Sequence, residues 1–283
     1  MTDEIRIRVM IPFCEEENVL CCFGALPKQK LALRENYMQA LMKEIVTSAG
    51  DHEGQTVRSI HLTGGVISSV EGRSLDALLT LLESCYRITP ETELVLDAMP
   101  GEVNIPTVRG CEKHNAAAIN LMVFSDDARV RIPAGLSPET EGVDQTNYVM
   151  YSVGWQHRCI TLSPGMPYNT DITWKKTLGK LSAWKPEWVY LLDAPQGDPE
   201  VTETQRTSAE EYLRALGYEK LGRVFSRNGR TLRCFEPETE AVEELGFGLG
   251  AYSVIEGIRC RNTQSLTRYI LYADQPDQLL TLC

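Results

Sequence analysis

The 283-residue sequence has little that would carry it into a membrane or onto nucleic acid. No apolar run reaches the ~20 residues that a bilayer span requires. The amino-terminal MTDEIRIRVMIP places acids where a secretory signal needs a basic start and then an apolar stretch. Basic residues are outnumbered, 28 against 39 acidic, for a formal charge of -11. Proteins that track phosphate backbones carry a basic face, so this balance predicts no nucleic-acid partner. Histidine is scarce, and the four present (His52, His61, His114 and His157) show no metal-ligand spacing. A Ser-His-Asp order, a phosphate loop and a paired-carboxylate arrangement are also missing. Together these absences predict a cytoplasmic protein with no membrane span. With 43% hydrophobic residues, a chain of this size buries roughly 75% of its unfolded surface, so its core needs neither disulfide nor metal.

Cysteine, by contrast, is plentiful. Of the nine, Cys85, Cys111, Cys159, Cys234, Cys260 and Cys283 are scattered and read as buried thiols of a reducing compartment. Cys14, Cys21 and Cys22 crowd into one segment that reads as a loop, where a metal site is the functional explanation.

Hydrophobic periodicity predicts strands at 5–12, 57–62, 93–98, 118–124, 158–163 and 187–192. Helical spacing predicts helices at 28–47, 73–87, 138–153, 170–183 and 203–216. Strands alternating with helices argue for parallel β/α units rather than a sandwich. Several strands end in Pro or Gly: Ile11-Pro12, Gly64-Gly65, Pro100-Gly101 and Pro164-Gly165. In a parallel barrel such carboxyl-terminal ends form the mouth where ligands bind. After residue 217 the pattern shortens, and a glycine-rich turn at 246–253 precedes a predicted closing helix near 263–281. The expected organisation is a barrel over 1–217 with a small α+β appendage over 218–283.

Residues 11–23, IPFCEEENVLCCF, resemble the radical S-adenosylmethionine superfamily, specifically its oxygen-independent coproporphyrinogen oxidase and haem-chaperone family. That family's motif spaces three cysteines and an aromatic residue. Cys14 matches the first cysteine, Cys21 the third and Phe23 the aromatic, while Asn18 stands at the middle position. HLTGGVISS (61–69), LDAMPGEV (96–103), INLMVFSDD (119–127), LSPGMP (162–167) with Trp174, GFGLGAYS (246–253) and RNTQSLTRYI (261–270) resemble further family segments in the same order. The resemblance covers almost the whole chain. It implies a partial (βα)6 TIM-like barrel, a 4Fe–4S cluster on three thiolates and S-adenosylmethionine at the mouth. Gly64, Gly65 and Asp97 fall where the family meets that cofactor.

The departures set the functional expectation. An amide oxygen is a hard, neutral donor and a poor substitute for thiolate on iron. The family's Tyr and His ahead of the first cysteine become Arg8 and Met10. Its third glycine and Thr-Pro become Thr63, Val66 and Ile67, its Glu becomes Asp97, its Gln becomes Phe124 and its strand-five Asp becomes Thr161. What survives is mostly architectural: Pro12, Phe13, Pro100, Gly165, Pro167 and the late glycines. The stretch NGRTLRCFEPETEAVEEL lacks the His and Trp of the haem-chaperone branch, and the chain stops before the oxidase branch's helical carboxyl-terminal domain. The expectation is a degenerate member without a normal 4Fe–4S cluster. Its mouth pocket would hold S-adenosylmethionine or another small ligand for non-radical chemistry, or serve an active paralogue. Two alternatives stay open: an active radical enzyme with Cys14, Cys21 and Cys22 as an unusual ligand set, and a tetrapyrrole carrier. For the cysteine group itself, a different metal held with Glu15, Glu16 or Glu17 also remains. His61 reads as a core or mouth histidine, and Trp174, Trp184 and Trp188 as packing between helix and sheet.

Overall fold

The computed structural model describes residues 3–65, 72–138, 141–155, 157–237 and 242–283. Strands β1 (Glu4–Met10), β2 (Thr56–Thr63), β3 (Glu93–Ala98), β4 (Ala116–Phe124), β5 (Arg158–Leu162) and β6 (Trp188–Leu191) lie side by side in chain order, all parallel. Each is followed by a helix: α1 (Leu31–Ala49), α2 (Gly72–Cys85), α3 (Ile105–Lys113), α4 (Glu141–Ser152), α5 (Asp171–Trp184) and α6 (Pro199–Ala215). Six β/α units therefore form the α/β core read from the sequence. The outward side chains Leu94, Leu96, Ile119, Leu121, Ile160, Leu162, Val189 and Leu191 pack into the main core beneath the helices. Their alternation with inward residues follows from the period-two pleat.

Residues beyond 217 extend both edges of this sheet. β7 (Glu219–Leu221) and β8 (Val224–Ser226) form a hairpin antiparallel to β6. β9 (Glu243–Phe247) pairs parallel to β1, and β10 (Tyr252–Ile255), β11 (Ile258–Asn262) and β12 (Leu280–Leu282) continue outward antiparallel. Residues from both edges line one interior cavity, so the sheet curls as a partial barrel.

Two elements differ from the sequence reading. The predicted closing helix at 263–281 is instead α7 (Leu266–Tyr272), a turn of helix at Pro276–Leu279, and β12. Pro276 cannot continue a helix, and Gln275 before it takes non-helical dihedrals, φ -130 and ψ 80. Helix α3 was not predicted because its apolar stripe is thin, with Val108 and Cys111 its buried residues. Its start was nonetheless written in the sequence: the Asn104 side chain caps the Thr107 N–H at 2.9 Å, with Pro106 in the first turn.

A buried polar knot fastens the carboxyl-terminal strands to β1. Glu44 of α1 accepts hydrogen bonds from Tyr269 Oη at 2.5 Å, Asn262 Nδ2 at 2.6 Å and the Gly248 N–H at 2.8 Å. Tyr37 donates to the Met10 carbonyl at 2.7 Å and accepts from the Leu249 N–H at 2.9 Å. The GFGLGAYS and RNTQSLTRYI segments thus serve to close the barrel against α1. At the mouth, a Cβ on Gly65 would stand 2.2 Å from the Phe13 carbonyl oxygen and 2.6 Å from that of Ile11, so only glycine lets β2 end beneath this loop.

Two stability measurements follow. Gly65→Ala should cost about 3 kcal/mol in denaturant melts, from overpacking against backbone. Gly179→Ala, in α5 with nothing within 4 Å of the added carbon, should stabilise by about 0.5–1 kcal/mol through helix propensity. Burial pushes Glu44 up from the ordinary 4.5 to about 6 against the pull of its three donors. A raised acid contributes stability that is full below its unfolded value and is lost as pH rises through about 6. Glu44→Gln should therefore remove about 2 kcal/mol of pH dependence from melts recorded across that window.

Candidate functional site at the barrel mouth

The inward residues of the parallel strands form two layers. The lower is apolar: Val95, Ala118, Cys159 and Trp188, with Val224 from β8, meet Leu232, Cys234 and Phe235 of a segment that plugs the floor. The plug is held by hydrogen bonds from Trp188 Nε1 to the Arg230 carbonyl at 2.7 Å and from Arg6 Nη1 to the Glu236 carbonyl at 2.9 Å. Trp188 thus packs inside the barrel, not between helix and sheet as expected. Trp174 does pack on the helical side, its Nε1 donating to the Gln205 carbonyl at 2.8 Å.

One pleat higher, the inward residues turn polar: His61, Asp97, Asn120 and Thr161. Asp97 is 3% exposed. Its Oδ1 accepts from His61 Nε2 at 2.9 Å and Asn120 Nδ2 at 2.8 Å, and its Oδ2 from Thr63 Oγ1 at 2.5 Å. Thr161 donates to Asn120 Oδ1 at 2.8 Å and orients that amide. Burial alone would raise the Asp97 carboxyl; its pairing with His61 and the hydrogen bonds from Thr63 and Asn120 outweigh it and hold the group below the usual carboxylate range. Because a carboxylate accepts at Nε2, that nitrogen carries the imidazole proton. His61 Nδ1 is buried and has no partner among the described residues.

This polar layer faces a cavity of about 340 Å³ at the mouth. Besides His61, Thr63, Gly64, Asp97, Asn120 and Thr161, its walls include Arg8, Tyr190, Arg223, Phe235, Glu244, Tyr252, Arg259 and Arg261. Of the residues singled out in the sequence, Gly64 and Asp97 lie on this wall, whereas Gly65 sits behind it against the Ile11–Phe13 backbone. Val66 and Ile67 lie outside the described residues. Arg223, Arg259 and Arg261 were missed. Arg259 and Arg261, two apart on β11, share one face, and that period is the signal that would have found them.

The cysteine segment is a short 3-10 helix, Val19–Phe23, following an extended Phe13–Cys14. Cys14 is buried, Cys21 half-buried and Cys22 exposed. Burial, followed by the neighbouring Cys21, pushes the Cys14 thiol up to about 12. Asn18 caps the helix, its Oδ1 accepting the Leu20 N–H at 2.8 Å and its Nδ2 donating to the Glu16 carbonyl. Cys22 opens onto a separate outer pocket with Glu17, Asn18 and Tyr168. Glu15 pairs with Arg34 at 2.6 Å and Glu16 with Lys28 at 3.0 Å. Among the described residues, no group of three or more His, Cys, Asp or Glu is placed to share a metal ion. Phe124, at the position of the family's Gln, is fully buried in an apolar cluster with Cys14, Met99, Met122 and Met166. The other histidines are engaged elsewhere: His52 with Gln55, His114 with Asp76 and Glu83, and His157 with Glu187. No helix among the described residues is long and apolar enough to cross a membrane.

No protein-family model matches the chain. The oxygen-independent coproporphyrinogen III oxidase of Escherichia coli strain K12 is 20% identical to it, over 98% of this chain and 67% of the oxidase. The heme chaperone HemW of Synechocystis is 22% identical over 89% of this chain and 66% of that protein. The chain spans about two thirds of the length of these curated relatives. The solved structure of the E. coli coproporphyrinogen III oxidase, a radical SAM enzyme, matches with a TM-score of 0.81 at 18% identity, covering 98% of this chain and 70% of that one. By sequence and architecture together the chain is related to the coproporphyrinogen-oxidase and heme-chaperone group, and it shares the fold of the oxidase.

Proposed function

We propose that this chain is a degenerate member of that group, without the normal 4Fe–4S cluster. In this reading its barrel mouth holds S-adenosylmethionine or another small ligand, either for polar chemistry or in support of an active paralogue. The observation that carries the reading is the donor set at the cysteine segment. A cluster of this type needs three thiolates converging on one point. Here Cys14 and Cys21 are neighbours, the middle position is an amide committed to a helix cap, and Cys22 lines a different pocket. That set does not fit the cluster. The Asp97 network supports the same conclusion, because the carboxylate that would meet a cofactor already accepts three side-chain hydrogen bonds. Polar use of S-adenosylmethionine is chemically consistent with this, since the carbons on a sulfonium are electrophilic without any iron. Nine cysteines with no disulfide fit a reducing, cytoplasmic setting. A tetrapyrrole is the second candidate ligand, favoured by the likeness to heme chaperones and by the stacked Tyr190 and Phe235 rings, 4.5 Å apart, in the cavity wall. That reading requires a Soret shift on haem titration, and its absence removes it.

The test is iron and acid-labile sulfide per chain after reconstitution without oxygen. Values near zero in a folded chain are expected, with Cys22→Ser giving the same result as the native sequence. Values of about four of each, lost in Cys22→Ser, would establish the radical enzyme with an unusual ligand set instead.

A further inference from the structure

The charge of the mouth cavity is at odds with the charge of the chain. The protein carries a formal -11, yet four arginines (Arg8, Arg223, Arg259 and Arg261) line this cavity against two carboxylates, Asp97 and Glu244. Both carboxylates are already engaged. Asp97 belongs to the His61 network, and Glu244 accepts from Arg8 Nε at 2.7 Å while standing 3.6 Å from Arg6. Among the described residues Arg261 is held by neutral groups: the Gly250 carbonyl at 3.3 Å, the Tyr252 ring face at 4.8 Å and the Gln264 amide turned oxygen-first. Arg223, exposed in the turn between β7 and β8, makes no hydrogen bond or ion pair with the described residues. Two guanidinium groups on opposite edges of the sheet therefore reach the rim of one cavity with their charge unspent.

The floor of the cavity adds two constraints. His61 donates a hydrogen bond from Nε2 to Asp97, and its Nδ1 is buried with no described partner. Such an atom costs free energy unless a donor fills it. Beside it, the stacked Tyr190 and Phe235 rings offer a flat apolar wall, continued by Leu20, Phe23 and Leu192. A sulfonium ligand meets this arginine set as like charge. An oxyanion meets it as a counter-ion, and guanidinium geometry matches carboxylate and phosphate alike.

We propose that the mouth cavity is a site for a flat small molecule bearing an oxyanion, with Arg223 and Arg261 taking the carboxylate or phosphate and His61 Nδ1 accepting a hydrogen bond from an N–H or O–H on the ligand body. The assignment rests on the mouth being a ligand pocket and specifies which class of ligand it selects.

Calorimetric titration of the full chain tests it with four probes. Adenosine monophosphate and 4-aminobenzoate each combine a flat body, a donor and an oxyanion, and they separate phosphate from carboxylate. Adenosine has the body without the anion, and S-adenosylmethionine has the body with a sulfonium and an ammonium that leave it net positive despite its carboxylate. At least one anionic probe should bind about tenfold more tightly than adenosine and S-adenosylmethionine, and rising salt should weaken it. Arg223→Gln, at an exposed position that folding does not need, should lose about tenfold of that affinity, while Lys30→Gln on α1's approach should lose none. Equal affinity of the anion for Arg223→Gln and the native chain would overturn the assignment. So would adenosine binding as tightly as both anionic probes. If S-adenosylmethionine binds and neither anion does, the anion assignment falls and the pocket reading stands. If none of the four probes binds, both fall.

Discussion

A carboxylate buried inside a parallel barrel must be neutralised or multiply hydrogen-bonded, because an isolated charge there carries a desolvation cost of several kcal/mol or more. Asp97 meets that constraint with side chains from β2 and β4, and much of the mouth is arranged around it. His61 and Thr63 come from one neighbouring strand and Asn120 from the other, and Thr161 on β5 fixes the Asn120 amide. Four adjacent strands are thereby tied at one level of the pleat. Below that level the interior is apolar and plugged; above it the cavity opens. The boundary between packed core and ligand space is set by where the inward side chains change from Val95, Ala118 and Cys159 to Asp97, Asn120 and Thr161.

The same network takes in several of the positions that the sequence reading set apart from the family pattern. Thr63 and Asp97 now bond each other, and Thr161 reaches Asp97 through Asn120. Phe124 is buried with Cys14 in an apolar cluster that closes beneath the cysteine segment. Thr63, Asp97, Thr161 and Phe124 each find their partners within the protein. Scaffold features were kept for a different reason. Gly65 is held by backbone contact, and Asn262 and Tyr269 by their bonds to Glu44, which bind the carboxyl-terminal strands to the rest.

The β/α order was legible because the strands alternate cleanly and stop at Gly or Pro, signals that act over a few residues. Helix α3 was legible only through its cap, and the break at Gln275–Pro276 only through proline's missing donor. The cysteine segment and Asp97 were found by spacing and likeness. What spacing does not encode is which groups converge from distant strands. His61 and Asp97 are 36 residues apart and meet because β2 and β3 are neighbours. Arg223 and Arg261 share a cavity because the sheet curls. The commitment of Asn18 to a helix cap, rather than to an open coordination position, also depends on the local backbone and was invisible in the sequence.

The central claim is that the missing thiolate at position 18, more than any other change, separates this chain from a cluster-bearing relative. Low-temperature electron paramagnetic resonance on dithionite-reduced samples, reconstituted side by side without oxygen, tests it directly. Asn18→Cys should acquire the signal of a reduced iron–sulfur cluster that the native chain lacks. A native chain that shows the signal as strongly as Asn18→Cys would contradict the account.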